Sequence, residues 1–374
     1  MSLRRALLVP LLRPLLRPLL LPLLSVVASG CLFIPNLGQY GYSACTADAD
    51  CPAGRFCDES VCAPPPWHDT AFGARRAIVV ENPADSAIPA GAAVPLLIGD
   101  ESTALPLLEL GADYRFADYD RANASWRDVA VYLDRESDRF TAWIPTAREI
   151  PPGKRDVLAF VESQSEDGLP HVQEDPAAVF AQFDTFDGAL DEWFVSPAGG
   201  PVVQDGLVNV ADGQAIALDV PLVPPVLAVL VARLNGVTCD EVFLGLVGDE
   251  RSVFEVPPEA GLFVGDDLAA VARVAPTPDS TPTDVGDGLS VGNALTRTVV
   301  AVDGGAVSIR HGDEVAFADP DVRPPFGADP LYLAVQVGGA CSVDVDAVWT
   351  TPLPQPLPAV TVEAPVNFNL AFEN

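Results

Sequence analysis

Apolar residues along most of this chain recur at every second position in short runs, and the runs end on Pro, Gly or Asp-Gly. A period of two places alternate side chains on opposite faces of an extended strand, whereas a helix needs a period near 3.6. In DVAVYLD, Val129, Val131 and Leu133 fall on one face, and in RFTAWIPT, Phe140, Ala142 and Ile144 do the same. VLAFV at 157–161 is a third run, and Pro151-Pro152-Gly153 marks the turn before it. With 37 Pro and 29 Gly in 374 residues, long helices are excluded, and only Asp175 to Phe180 is expected to close a helical turn. Short strands between such breakers make an all-β chain built of sandwiches.

The same grammar continues from 182 to 352. Asp205-Gly206 precedes LVNV and Asp212-Gly213 follows it. VLAVLVARL at 226–234 is apolar on both faces, as a central strand covered on two sides must be. It is too short for a membrane span, and Pro224-Pro225 block its extension. TVVAVDGGAVSIR at 298–310 reads as a hairpin with Asp303-Gly304 at its turn. LYLAVQV at 331–337 and SVDVDAVW at 342–349 read as closing strands. Cys239 and Cys341 lie beside such strands, and a sandwich makes sequence-distant strands neighbours, so these two are expected to pair.

Residues 1–30 carry four Arg and no acid, then an apolar stretch ending in small residues, which is the pattern of a secretion signal. Arg13, Arg17 and Pro10, Pro14, Pro18 and Pro22 interrupt it too often for a spanning helix. Four cysteines follow at 45–62, spaced five, five and four residues apart with no His among them, a spacing that suits disulfides rather than zinc. A segment this short cannot bury a core, so covalent closure must hold it. Three pairings are possible, and the interleaved Cys45–Cys57 with Cys51–Cys62 closes the most compact knot. Ala63-Pro64-Pro65-Pro66-Trp67 is then a stiff linker.

Ala28-Ser29-Gly30-Cys31 resembles a bacterial lipoprotein box, which implies cleavage before Cys31, lipid on its sulfur and, with Leu32 next, an outer-membrane or cell-surface address in a Gram-negative bacterium. Using Cys31 in this way leaves six cysteines, an even number for an oxidising compartment. The knot is similar to small Dickkopf-like cysteine-rich modules. GADYRFAD at 111–118, FTAWIPT at 140–146, IPPGKRDVLAFVES at 150–163, AAVFAQFDTFDGALDEW at 177–193 and VDVDAVWTTPLPQPLPAVTV at 343–362 resemble, in that order, an uncharacterised bacterial surface-domain family joined to a concanavalin A-like, laminin-G-like jelly roll. The resemblance implies a tether at 31–44, a knot at 45–62, a linker at 63–72, one β-sandwich at 73–181, a jelly roll at 182–352 and a Pro-rich tail at 353–374. Phe160-Val161-Glu162-Ser163 stands where that family has Tyr-Tyr-Gly-Asn, so no role of those tyrosines carries over.

Lys and Arg number 21 against 52 Asp and Glu, a formal charge of −31, which excludes nucleic acid as a partner. Concanavalin-type hydrolases commonly carry Glu-x-Asp-x-x-Glu on one strand, and this string is absent. Asp344-x-Asp346 is the nearest candidate, both acids on one strand face, but it lacks the glutamates. His68, His171 and His311 are scattered, and neither a phosphate loop nor a Gly-x-Ser-x-Gly elbow occurs. Calcium is the one cofactor with candidate ligands, Asp266, Asp267, Asp284 and Asp287 in loops. Among five tryptophans, Trp126 in the polar stretch ANASWRD is the candidate for stacking on a sugar, while Trp143 and Trp349 belong to strand patterns. The expectation is a non-enzymatic lipoprotein, without catalytic or metal-ligating residues, whose lectin-like sandwich binds glycan or another envelope component. Its rivals are a carbohydrate-active hydrolase whose acids converge only in three dimensions, and a structural spacer or adhesin.

Overall fold

The structure, a computed structural model, describes residues 43–46, 50–52, 55–58, 60–66, 74–98, 114–135, 140–163, 174–197, 200–236, 239–248, 260–264, 269–274, 283–303, 306–319, 330–363 and 366–367. The leader and Cys31 lie outside them. The chain divides into two compact units, residues 1–66 and 67–374.

In the first unit, β1 (Phe56–Asp58) and β2 (Val61–Ala63) form an antiparallel hairpin. Cys45 is bonded to Cys57 and Cys51 to Cys62, with Cα–Cα distances of 5.7 and 5.4 Å, the interleaved pairing expected.

The second unit begins with β3 (Ala74–Glu81), β4 (Ala93–Ile98), β5 (Tyr114–Asp120), β6 (Ser125–Asp128), β7 (Tyr132–Arg135), β8 (Phe140–Pro145) and β9 (Arg155–Ser163). A single helical turn, α1 (Pro176–Val179), follows, its N-cap Asp175 accepting from the Ala178 N–H. Next come β10 (Gln182–Asp184), β11 (Trp193–Ser196), β12 (Val202–Gln204), β13 (Leu207–Ala211), β14 (Gln214–Leu218), β15 (Val226–Asn235), β16 (Asp240–Val247), β17 (Ala260–Val264) and β18 (Ala269–Val274). The chain continues through β19 (Thr283–Ser290), β20 (Thr296–Asp303), β21 (Ala306–His311), β22 (Glu314–Asp319), β23 (Tyr332–Gly338) and β24 (Ser342–Thr351) to β25 (Ala359–Val362) and β26 (Val366–Asn367).

An eight-stranded sheet in the order β12-β13-β24-β15-β20-β21-β22, with β10 added on β24, faces a seven-stranded sheet in the order β11-β14-β23-β16-β17-β18-β19. Val208, Val210, Leu230, Val300 and Ile309 from the first pack against Ile216, Leu244, Leu262 and Val335 from the second. This is the concanavalin A-like jelly roll of an all-β protein. A disulfide joins two of its strands as expected, Cys239 just before β16 being bonded to Cys341 just before β24 across 102 residues. The tight turn from β12 to β13 is made by Asp205 and Gly206, both at positive φ (54° and 74°) as a type I′ hairpin requires.

The remaining sheets are six-stranded, β25-β3-β9-β5-β6 with β26 on β3, and three-stranded, β4-β8-β7. The residues expected as a Pro-rich tail thus supply two strands on β3. Both small sheets meet the outer face of the eight-stranded sheet. The two-faced apolar run of β15 serves this arrangement: Ala228 and Leu230 enter the jelly-roll core, while Leu227 and Val229 join a second core with Ile78, Phe116, Ile144, Leu158 and Trp349. At its centre Trp349 is fully buried, with ring centroids 5.6 Å from Tyr132, 5.8 Å from Phe180 and 6.2 Å from Trp143. Edge-to-face and offset aromatic packing of this kind adds to the area buried.

Candidate functional site

Where the three-stranded sheet stops short, the outer face of the eight-stranded sheet stays open as a cleft of about 770 Å³. One wall is the edge strand β7, with Tyr132, Leu133 and Asp134. The floor and the other wall come from the jelly roll: Val231, Asp346, Ala347 and Trp349, the start of β20 through Arg297, and Gly312-Asp313 in the turn after β21.

A fault in strand pairing positions Asp346. In the ladder of β15 and β24, Val231 opposes Ala347 and Ala232 opposes Val345, so Asp346 is an extra residue in a β-bulge. Val345 and Val348 enter the jelly-roll core, whereas Ala347 and Trp349 pack on the other side. The bulge therefore places Asp346 on the cleft side within a strand otherwise buried around it, and re-aiming a side chain is a recurrent use of such bulges. Among the described residues Asp346 makes no hydrogen bond or ion pair. Burial raises its carboxyl above the ordinary range, Arg233 opposing and Asp187 adding to the effect.

Asp344 is two residues away, and its environment is the reverse. It accepts from Asn209 Nδ2 at 2.7 Å and from Arg233 Nε and Nη2 at 3.0 and 2.9 Å. Burial works to raise it, but the hydrogen bonds from Asn209, Asn235 and Arg233 prevail and hold it below the ordinary carboxylate range. Across the cleft, Arg297 Nη2 donates to Asp134 Oδ1. Burial raises Asp134 despite the pull of Arg297; the nearby Trp143 indole also favours the carboxylate, although its Nε1 stands outside hydrogen-bond geometry. Desolvation, helped by Asp134, pushes the Tyr132 phenol up to about 12, so it stays a donor at neutral pH. The Trp349 indole N–H, buried beneath the cleft, has no hydrogen-bond partner.

The other sequence candidates lie elsewhere. Trp126 is half-buried on β6, not exposed in a loop: its ring is 5.2 Å from Tyr119 and 5.3 Å from Phe160, and the buried Arg75 guanidinium stacks 5.5 Å from it. Of the calcium candidates, Asp284 pairs with Arg273 at 2.7 Å, while Asp266, Asp267 and the Asp287 side chain are outside the described residues. Among the described residues, the only three candidate ligand atoms that converge within 4.8 Å belong to the disulfide cysteines of the knot. Sequence reading singled out Asp344 and Asp346, of which only Asp346 lines the cleft, and missed Tyr132, Asp134 and Arg297, which reach it only through sheet packing.

No family model matches this chain, nor does any curated protein. Solved structures do, over 46% of its length and at the level of fold alone. A laminarinase from Rhodothermus marinus is 11% identical over 96% of its own chain, with a TM-score of 0.36. A prokaryotic β-1,3-1,4-glucanase (lichenase) from a mouse hindgut metagenome is 12% identical over 99% of its chain, with a TM-score of 0.37. The exoplasmic/lumenal domain of VIP36, in a Ca2+/Man3GlcNAc-bound form, is 12% identical over 94% of its chain, with a TM-score of 0.35. The expectation of a non-enzymatic protein is corrected here: the similar structures include a laminarinase and a lichenase beside the Man3GlcNAc-bound VIP36 domain. The expectation rested on a missing linear string of acids, and the bulge at Asp346 brings a carboxyl into the cleft without that string.

Proposed function

We propose that this chain is an exported, lipid-anchored, carbohydrate-active hydrolase acting in the cleft between β7 and the eight-stranded sheet. The observation that carries the reading is Asp346, a half-buried carboxyl lining the cleft, without a hydrogen-bond partner among the described residues and set there by a bulge. Glycoside hydrolysis needs a carboxyl that donates a proton to the leaving oxygen, and burial raises the proton affinity of Asp346. Asp346 gives its proton to the glycosidic oxygen as the C–O bond breaks. Water adds to the anomeric carbon, and its proton passes to solvent. Tyr132, in the wall of the cleft, is the donor that holds a sugar hydroxyl.

The test is release of reducing ends by the full chain from β-1,3-glucan, mixed-linkage β-glucan and mucin O-glycans. Asp346→Asn should lower the rate at least ~100-fold, the usual worth of a general acid, while binding persists. No release from any glycan by the folded wild type overturns the proposal. The anchor is tested separately, by mass spectrometry of the N-terminal peptide: an unmodified Cys31 removes the lipid.

A further inference from the structure

We propose that Asp344 is a positioning residue for the cleft: it holds the Arg233 guanidinium back from Asp346 and so leaves the cleft carboxyl without a cation, an inference that rests on the reading of Asp346 above. Three strands build the arrangement. Asn209 on β13 opposes Asp344 on β24, and Asp344 opposes Arg233 on β15, so the three side chains form one row across the sheet. The row engages both oxygens of the carboxylate. Asn209 Nδ2 donates to Oδ1 at 2.7 Å, while Arg233 Nε and Nη2 donate to Oδ2 at 3.0 and 2.9 Å.

Asp346 is the other anion within reach of this guanidinium. Leu230, Ala232 and Leu234 enter the jelly-roll core, so Val231 and Arg233 lie on the outer face that Asp346 shares. The bulge sets Asp346 opposite the step from Val231 to Ala232, on the diagonal from Arg233. Diagonal neighbours on one sheet face stand about 7–8 Å apart, still within reach of a long side chain. A guanidinium released toward Asp346 would pair with its carboxylate form and favour loss of the proton. Asp344 prevails because it is the direct cross-strand partner, and with only 12% of its side chain exposed its ion pair is shielded from water.

The charges around Asp346 come from several elements. Burial raises its proton affinity most, Asp187 after β10 adds to this, and Arg233 is the cation that opposes. Facing it from β7 are Tyr132, neutral at pH 7, and Asp134, which engages Arg297. Asp313 lines the cleft from the turn after β21. Arg310, exposed on β21, is three strands from β24, about 14 Å and beyond the screening length at physiological salt. A general acid acts only while protonated, so activity falls as pH rises through its pKa, and freeing Arg233 moves that fall to lower pH.

The experiment is the pH dependence of reducing-end release by the full chain, from whichever of β-1,3-glucan, mixed-linkage β-glucan and mucin O-glycans it cleaves. Beside it runs an NMR titration of the Asp346 carboxyl in protein with isotope-labelled aspartate, the resonance identified by its loss in Asp346→Asn. Asp344→Asn keeps the side-chain shape and should lower both the upper limb of the profile and the Asp346 titration by about one pH unit. Arg233→Lys keeps the charge but not the grip by two nitrogens, and should lower them part of the way. In the Arg233→Met background, Asp344→Asn should move neither. A titration unmoved by Asp344→Asn and Arg233→Lys, or a shift as large without Arg233 as with it, overturns the inference. The titration needs no substrate: if it moves as stated in a chain that cleaves no glycan, only the proposed function falls, and if a glycan is cleaved while the limb stays in place, only this inference does.

Discussion

Arg297 at the start of β20 donates to Asp134 on β7, an ion pair between groups 163 residues apart, with only 16% and 8% of the two side chains exposed. It joins the jelly roll to the small three-stranded sheet and forms one side of the cleft. Removing one partner of a desolvated pair strands the other, whereas removing both need not. Asp134→Ala should cost about 3 kcal/mol in urea unfolding, near the lower end of the range for buried pairs because Arg297 keeps some contact with water. The double variant Asp134→Ala with Arg297→Met should recover most of that loss, and additive losses would refute a coupled pair.

Cys239 and Cys341 close the longest covalent loop of the molecule's described residues, with Cα atoms 5.2 Å apart. Loop-closure entropy for roughly a hundred residues is worth about 4–5 kcal/mol. Replacing both with Ser should lower stability by that order and leave the sheet content seen by circular dichroism unchanged. A loss below about 1 kcal/mol would mean that the denatured chain gains little freedom from the change.

His311 is buried on β21, with Nδ1 3.1 Å from Thr298 Oγ1. Burial pulls its pKa below the ordinary 6.5, Glu314 opposing. With the folded value depressed, the unfolded chain takes up the proton first as pH falls, so the associated stability is complete above about 6.5 and is lost progressively below it. Denaturation midpoints measured from pH 7.5 down to 5 should fall, and His311→Gln should flatten that slope. An unchanged slope in the variant would assign the pH dependence to other groups.

Gly245 and Gly261 face each other across β16 and β17, and the Phe243 ring lies against both. A Cβ at Gly245 would approach the Ala260 carbonyl oxygen to 2.4 Å and the Gly261 Cα to 2.6 Å. Backbone atoms cannot yield as a side-chain end can, so Gly245→Ala should cost about 1–3 kcal/mol, the range for overpacked sites. A thermal midpoint equal to wild type would show that the two strands have room to part.

Local pattern carried much of this architecture. The two-faced run of β15, the hairpin strands β20 and β21, the helical turn capped by Asp175 and the all-β class depend on side-chain period and on residues with fixed backbone preferences, which neighbours in sequence supply. Cysteine spacing and parity were enough to anticipate the pairs seen. Tertiary structure decided what the sequence left open. Trp126 appeared to belong to a polar loop, yet pairing of β6 with β5 sets it against Tyr119 and Phe160. The C-terminal segment became strands because β3 offered it an edge. Asp346 owes its place in the cleft to a bulge opposite Val231 and Ala232, more than a hundred positions earlier, and register between such distant strands is set by which faces must be buried, a condition that no local stretch of chain contains.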